Sequence, residues 1–326
     1  MQKNIIGRFK FVITMFVFVK YVAFATFVSA NQSIPDQYPQ SLLYSKPIEV
    51  IPHVWSAIGA TAPPGYDNSG HNNNLSFIVT GEGVVVINAG ASHLLAKALH
   101  DEIKAICDEP VVLVINENGQ GHAMLGNSYW QGQKVPILAH KTAAEEWQQH
   151  GHGILNRMKG YNLDKADKTV VQGPSEVFEK KRVIQLGRFT INVLWLGLAH
   201  SPGDVVVHLP AQHLVISGDM AFHERLLPIM ADTQTGEWLQ SWERFEALNA
   251  RYVIPGHGHA TNMAQVRRYT KDYLLFLRSA VTDVLDNDGD LQDAYRIDQS
   301  AYSHLDTYSE LAGKNAGRLF TQMEFE

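Results

Sequence analysis

Cysteine is almost missing: Cys107 is the only one in 326 residues, so no internal disulfide can form. A chain this long buries enough surface to be stable without one. Its apolar neighbours Ala105 and Ile106 point to a buried structural thiol rather than a reactive one. Clustered Lys and Arg are also lacking, and the formal charge is −6, which argues against nucleic acid or an anionic membrane surface as a partner. There is no internal repeat and no low-complexity tract. The N-terminal apolar run is too short for a membrane span: Lys20 divides it into stretches of nine and eight residues, whereas a spanning helix needs roughly 18 or more.

The composition that is present, 45% hydrophobic and 18% charged, is that of a globular protein. Residues 1–30 depart from it. Lys3, Arg8, Lys10 and Lys20 are their only charges, and Val28-Ser29-Ala30 offers small residues for cleavage, so this segment reads as a secretory signal. Its removal takes four positive charges and brings the formal charge from −6 to −10. The expected mature protein is exported, periplasmic and without a stable membrane anchor. Residues 31–47 read as an extended lead-in, 48–260 as the main domain and 261–326 as a helical extension packed on it.

Within the main domain, Leu75 to Thr80 and Val84 to Ile87 flank Gly81-Glu82-Gly83 and read as a hairpin. Ser92 caps an expected helix to Cys107 with Leu95, Leu99, Ile103 and Ile106 on one face, and Val111 to Ile115 returns as a strand. Val135 to Ala139 is a further strand. Thr142 and Glu145 form a capping box for a helix through Gln149, and Gly151 to Ser175 reads as a loop or a poorly packed helix pair. Two more hairpins follow at 182–196 and 205–217, then a helix at 238–248 and a short strand at 252–254. Asp286-Asn287-Asp288-Gly289-Asp290 has the look of a calcium loop, but its glycine is two places early and position 12 is Ile297, so a helix-end turn is expected.

Four segments carry candidate chemistry, each placed just after an apolar strand, where site residues commonly sit. They are Ile115 to Asn127 (INENGQGHAMLGN), Ala199 to Asp204 (AHSPGD), Ser217-Gly218-Asp219, and Pro255-Gly256-His257-Gly258. Taken singly, a His after a strand or an Asp after Ser-Gly is most often structural. Taken together, in order and spacing, they resemble the metallo-β-lactamase superfamily, and most nearly its glyoxalase II-like branch with periplasmic metallohydrolases associated with quinoprotein oxidation. The resemblance covers about Ile48 to His259. It implies an αββα sandwich of two mixed β-sheets flanked by helices, with a helical C-terminal tail.

Laid without gaps on the family's HxHxDH motif, with Gly126 and Asn127 fixing the frame, this chain has Asn118 and Gln120 at the first two His positions. His122 stands at the Asp position and Ala123 at the third His. Asn88 likewise replaces an outer-shell Asp. The family holds two ions with five His and two Asp, whereas the matching positions here supply His122, His200, Asp219 and His257. One carboxylate compensates at most one divalent ion, zinc or alternatively iron. His122 would be ligand or base, and Asn118 and Gln120 would hydrogen-bond a metal-bound water or a substrate. His71, His140, His223 and His259 are candidates for the mouth of the site, with an ordinary loop role as the alternative.

Three functions are consistent with this pattern. The first is a single-metal hydrolase of an ester, thioester or amide bond in a small-molecule substrate. The second is a non-catalytic binding protein on the same fold without a metal, and the third is a mono-iron oxygenase.

Overall fold

The structure, a computed structural model, describes residues 38–326. The signal-like segment and the start of the lead-in lie outside the described residues. The first half of the chain contains β1 (Ile48–Ile51), β2 (Val54–Ala57), β3 (Leu75–Val79), β4 (Val84–Ile87), α1 (His93–Ile106), β5 (Val111–Ile115), α2 (Gly121–Met124), α3 (Asn127–Gly132), β6 (Ile137–His140) and α4 (Lys141–Asn162). Next come β7 (Glu176–Phe178), β8 (Lys181–Leu186), β9 (Phe189–Trp195), β10 (Val205–Leu209), β11 (Leu214–Phe222), α5 (Thr235–Glu246) and β12 (Tyr252–His257). The C-terminal part is helical: α6 (Met263–Tyr269), α7 (Lys271–Asp286), α8 (Leu291–Tyr295) and α9 (Tyr308–Met323).

Strands β1 to β7 form one sheet in sequence order, antiparallel as far as β4 and parallel from β4 to β7. Each parallel step from β4 to β7 is bridged by helix, as parallel neighbours require. The second sheet has the order β12-β11-β10-β9-β8, with only β11 and β12 parallel and α5 joining them. Period-two alternation explains the layers. Val84 and Val86 face the α1 and α3 side with Leu95, Leu99 and Trp130. Val85 and Ile87 face the other way and meet Val193, Val207 and Ile216 of the second sheet. The outer face of that sheet is covered by Trp238 and Trp242 of α5, Tyr273 and Leu277 of α7 and Leu319 of α9. The result is the expected αββα sandwich.

Ser92 caps α1 as its position suggests, its side chain accepting from the Leu95 N–H. Asp290 and Asp293 form a capping box at α8, so the calcium-like stretch is the turn between α7 and α8. Three expectations need correction. Helix α4 continues to Asn162, well past Gln149, and its cap is the His140 side chain rather than a Thr142 box. The stretch from Gly151 is polar and weakly patterned, but Ala143, Trp147, Leu155 and Met158 make a continuous buried face against Ala123, Met124 and Leu125, and this packing overrides the weak local propensity. Strand β11 runs on to Phe222 with every residue buried, so Asp219 lies inside a strand rather than beyond one. Cys107 is half-buried at the end of α1.

The two sheets are tied together at the end where the motif segments meet. Asn74, just before β3, donates its side-chain amide to the carbonyls of Pro255 (2.8 Å) and Gly258 (2.7 Å), while its backbone N–H donates to Gly256 (2.8 Å). The lateral flank is looser. A cavity of about 280 Å3 separates Val85, Leu113 and Leu138 from Ile184 and Leu186. Asn74→Ala leaves two buried carbonyls without a donor and is expected to cost about 2–4 kcal/mol in urea unfolding. Asn287→Ala, at an exposed amide bonded only to the Asp283 carbonyl, should cost less than about 0.5 kcal/mol.

Candidate metal centre

The motif segments converge on Asp219. This fully buried carboxylate has His122 Nε2 at 3.6 Å and His200 Nδ1 at 3.4 Å from Oδ2, and His257 Nε2 at 3.2 Å from Oδ1. Burial opposes its charge, but His122, His257 and His200 together hold its carboxyl far below the usual carboxylate range. The four positions expected to ligate a metal are therefore brought together.

Sequence reasoning missed Glu117. Its side chain is buried at the start of the loop after β5 and accepts from His122 Nε2 at 3.1 Å. Space for it comes from another strand: Gly218 has φ +51°, and a Cβ there would lie 1.7 Å from Glu117 Oε2. Only a residue without a side chain combines that backbone with that neighbour. Asn88 fixes the backbone, accepting the Glu117 N–H at 3.1 Å. Burial pushes Glu117 upward against the pull of its His122 bond. Burial works against the His122 charge, yet Asp219 and Glu117 outweigh it and raise His122 above its ordinary value.

The two amides at the positions where the family resemblance would place His are engaged with protein groups. Asn118 donates to Asp204 Oδ1 at 3.1 Å and Asp219 Oδ2 at 3.2 Å, and its own oxygen accepts the Gln120 N–H at 3.0 Å. No polar group of that side chain remains for substrate or water. Gln120 Nε2 donates to His200 Nδ1 at 3.0 Å, which occupies the His200 nitrogen nearest Asp219. Burial lowers His200, so it is a neutral acceptor there. Asp204 takes the Ser201 N–H and the Ser201 hydroxyl as well as Asn118. Burial and the nearby Asp219 charge nevertheless push it well above its ordinary value.

His257 is fixed differently. Its Nδ1 faces the Asn72 carbonyl in a short contact and so must carry the proton, leaving Nε2 a bare lone pair. Arg225, a second group that sequence reasoning missed, approaches the same Nδ1 at 3.3 Å. Burial, followed by Arg225, brings His257 down to about 4, so at neutral pH it is uncharged. Nε2 then faces Asp219 Oδ1, which has no hydrogen-bond donor. The two atoms lie 3.2 Å apart, close enough to share one cation.

Gln120, His122, His200, Asp219, Arg225 and His257 line one side of a cavity of about 660 Å3 whose other walls include Ile154, Tyr161 and Met230. His71, His140, His223 and His259 are not among its lining residues. His71 is buried behind Asn72 and accepts from the Tyr44 N–H, His140 caps α4, His223 Nδ1 bonds the His259 carbonyl, and His259 pairs with Glu224 at 2.9 Å.

The residues fit one divalent cation. Ligand atoms of Glu117, His122 and Asp219 lie within 4.8 Å of one another. The Glu117–His122 and His122–Asp219 separations, 3.1 and 3.6 Å, match the roughly 3.0–3.6 Å between ligands whose bonds to a zinc-sized ion are about 2.0–2.2 Å. Glu117 Oε2 and Asp219 Oδ1 are buried without partners. His257 Nε2 is available beside Asp219, whereas His200 is held by Gln120. The expectation of one carboxylate changes to two at the cation position, with Asp204 a third nearby.

The family model described as metallo-beta-lactamase superfamily matches residues 122–257. The chain is 22% identical over 188 residues to a metallo-beta-lactamase type 2 of Bacteroides fragilis, covering 56% of this chain and 70% of that protein. Among solved structures, a metallo-beta-lactamase from Pontibacter korlensis superposes with a TM-score of 0.58 at 20% identity, covering 70% of this chain and 98% of that one. The DIM-1 metallo-beta-lactamase gives 0.56 at 15% identity, over 71% of this chain and 96% of that one.

Asn118→Asp places a third carboxylate between Asp204 and Asp219 and raises the new group's pKa in the folded state. Its penalty is absent below about pH 4 and grows as pH rises through that raised value, reaching about 2–4 kcal/mol. Thermal unfolding of the metal-free variant against the native chain at pH 5 and pH 8 should show the larger deficit at pH 8.

Proposed function

We propose that this chain belongs to the metallo-β-lactamase superfamily and is an exported hydrolase that works with a single divalent cation held by Glu117, His122, Asp219 and His257. The observation carrying this reading is the close approach of His257 Nε2 to Asp219 Oδ1 at 3.2 Å, beside the unpartnered Glu117 Oε2. Two buried carboxylates grouped with imidazoles in this way are stabilised by positive charge held among them. Two carboxylates with imidazoles suit zinc, and also iron.

When bound, such an ion supplies a Lewis acid and a water of lowered pKa. The chain does the rest. Glu117 and Asp219 neutralise the ion's charge, and the Asn72 carbonyl fixes the tautomer of His257. Gln120 keeps His200 out of the ligand set. Asn118 ties Asp219 to Asp204 and so orients the carboxylate. Ile154, Tyr161 and Met230 give the cavity apolar walls for an acyl group, which makes ester, thioester or amide bonds the substrate class.

A second reading has its own support. The Asn118 and Gln120 amides donate to Asp219 Oδ2 and His200 Nδ1 without any ion, as a non-catalytic binding site would arrange them. Elemental analysis of the purified protein separates the two. About one zinc or iron per chain is expected, with occupancy falling at least about tenfold in Glu117→Gln and in Asp219→Asn and little changed in His200→Ala. A chain that stays metal-free in excess zinc and iron, with a Tm indifferent to chelator, would establish the binding protein instead. Iron as the native ion would favour the oxygenase.

A further inference from the structure

Helix α4 contributes one wall of the cavity, and its most unusual group there is Glu146. The first turns of α4 lie directly on the loop that carries Glu117 and Asn118. A Cβ on Gly119 would come within 2.9 Å of the Ala143 carbonyl and 3.0 Å of Glu146 Oε2. The carboxyl of Glu146 therefore fills the place that a side chain at 119 would take, next to the residue whose amide holds Asp219. Glu146 and Asp219 both line the 660 Å3 cavity. Glu146 Oε2 is buried and has no hydrogen-bond partner, and no positive charge acts on its carboxyl among the described residues. The charge that acts on it is that of Asp232, which lines the same cavity.

We propose that Glu146 is the proton donor to the leaving group in the hydrolytic reaction of this cavity, an inference that rests on the hydrolase reading given above. Cleavage of an acyl–X bond needs a proton at X as the bond breaks, and the groups around Asp219 are committed to one another or to the cation. Burial, followed by the Asp232 charge, pushes Glu146 up to about 7, so a large fraction of the carboxyl holds its proton at neutral pH. The step balances. Water adds its oxygen to the acyl carbon, the carbon–X bond breaks, and X takes the Glu146 proton and departs as HX. The attacking water releases the proton that restores Glu146, so the cycle neither consumes nor makes protons apart from ionisation of the product acid.

The test uses the zinc-loaded full chain and its Glu146→Gln variant on para-nitrophenyl, phenyl and ethyl acetate, with zinc content and Tm measured alongside. A para-nitrophenolate departs without a proton, whereas ethoxide does not. Glu146→Gln is expected to slow ethyl acetate by about 100-fold and para-nitrophenyl acetate by less than about 3-fold, with zinc content and Tm unchanged. Equal slowing of all three esters, or of none, would overturn the assignment while leaving the hydrolase intact. No hydrolysis of any ester by the zinc-loaded native chain would overturn both, and so separates the two failures.

Discussion

A carboxylate buried beyond the reach of water is stable only if positive charge or hydrogen-bond donors surround it, and Asp219 is the group on which this constraint acts. His122, His200, His257 and the Asn118 amide approach it from three parts of the chain, His122 and Asn118 sharing the loop after β5. Three different strand ends deliver them, so the sandwich must close correctly before all of them arrive. The fold and the site are thus one problem: β11 carries the charge, and β5, β9 and β12 deliver what stabilises it.

The same charge makes proton and metal rivals. His122, raised by Asp219 and Glu117, holds a proton facing both carboxylates when no ion is bound. A divalent cation at that position needs the lone pair and must displace the proton, so uptake is coupled to pH. Two carboxylates offset one such ion. A second ion would need the positions of Asn118 and Gln120, whose N–H groups now point at Asp219 and His200. Donors aimed inward repel a cation. The replaced motif is a positive-side lining rather than a blank one.

Much of this was legible in sequence because it depends on local pattern. Runs such as Val84 to Ile87 and Val111 to Ile115 announce buried strands, and Ser92 before Leu95 and Leu99 announces a capped helix. His122, His200, Asp219 and His257 were found by their frame. Glu117 was not, because its role depends on a cavity opened by Gly218, about a hundred positions away and on another strand. Arg225 and Glu146 were hidden for a similar reason: an ordinary charged residue becomes unusual only through what buries it. Helix α4 was cut short because the stretch after Gln149 is polar and weakly patterned, while the packing of Trp147, Leu155 and Met158 decided the outcome.

The Asn74 tie has a mechanical consequence. It holds the strand edges of both sheets at the end that carries Asp219 and His257, while the flank between Leu113 and Leu186 keeps an internal void. The sheets are joined at the far end as well, where the Arg188 N–H donates to the Thr80 carbonyl and the Gly187 N–H to Glu82, each at 3.2 Å. The sandwich is clasped at both ends, and the spacing around Asp219 is set by a closed frame.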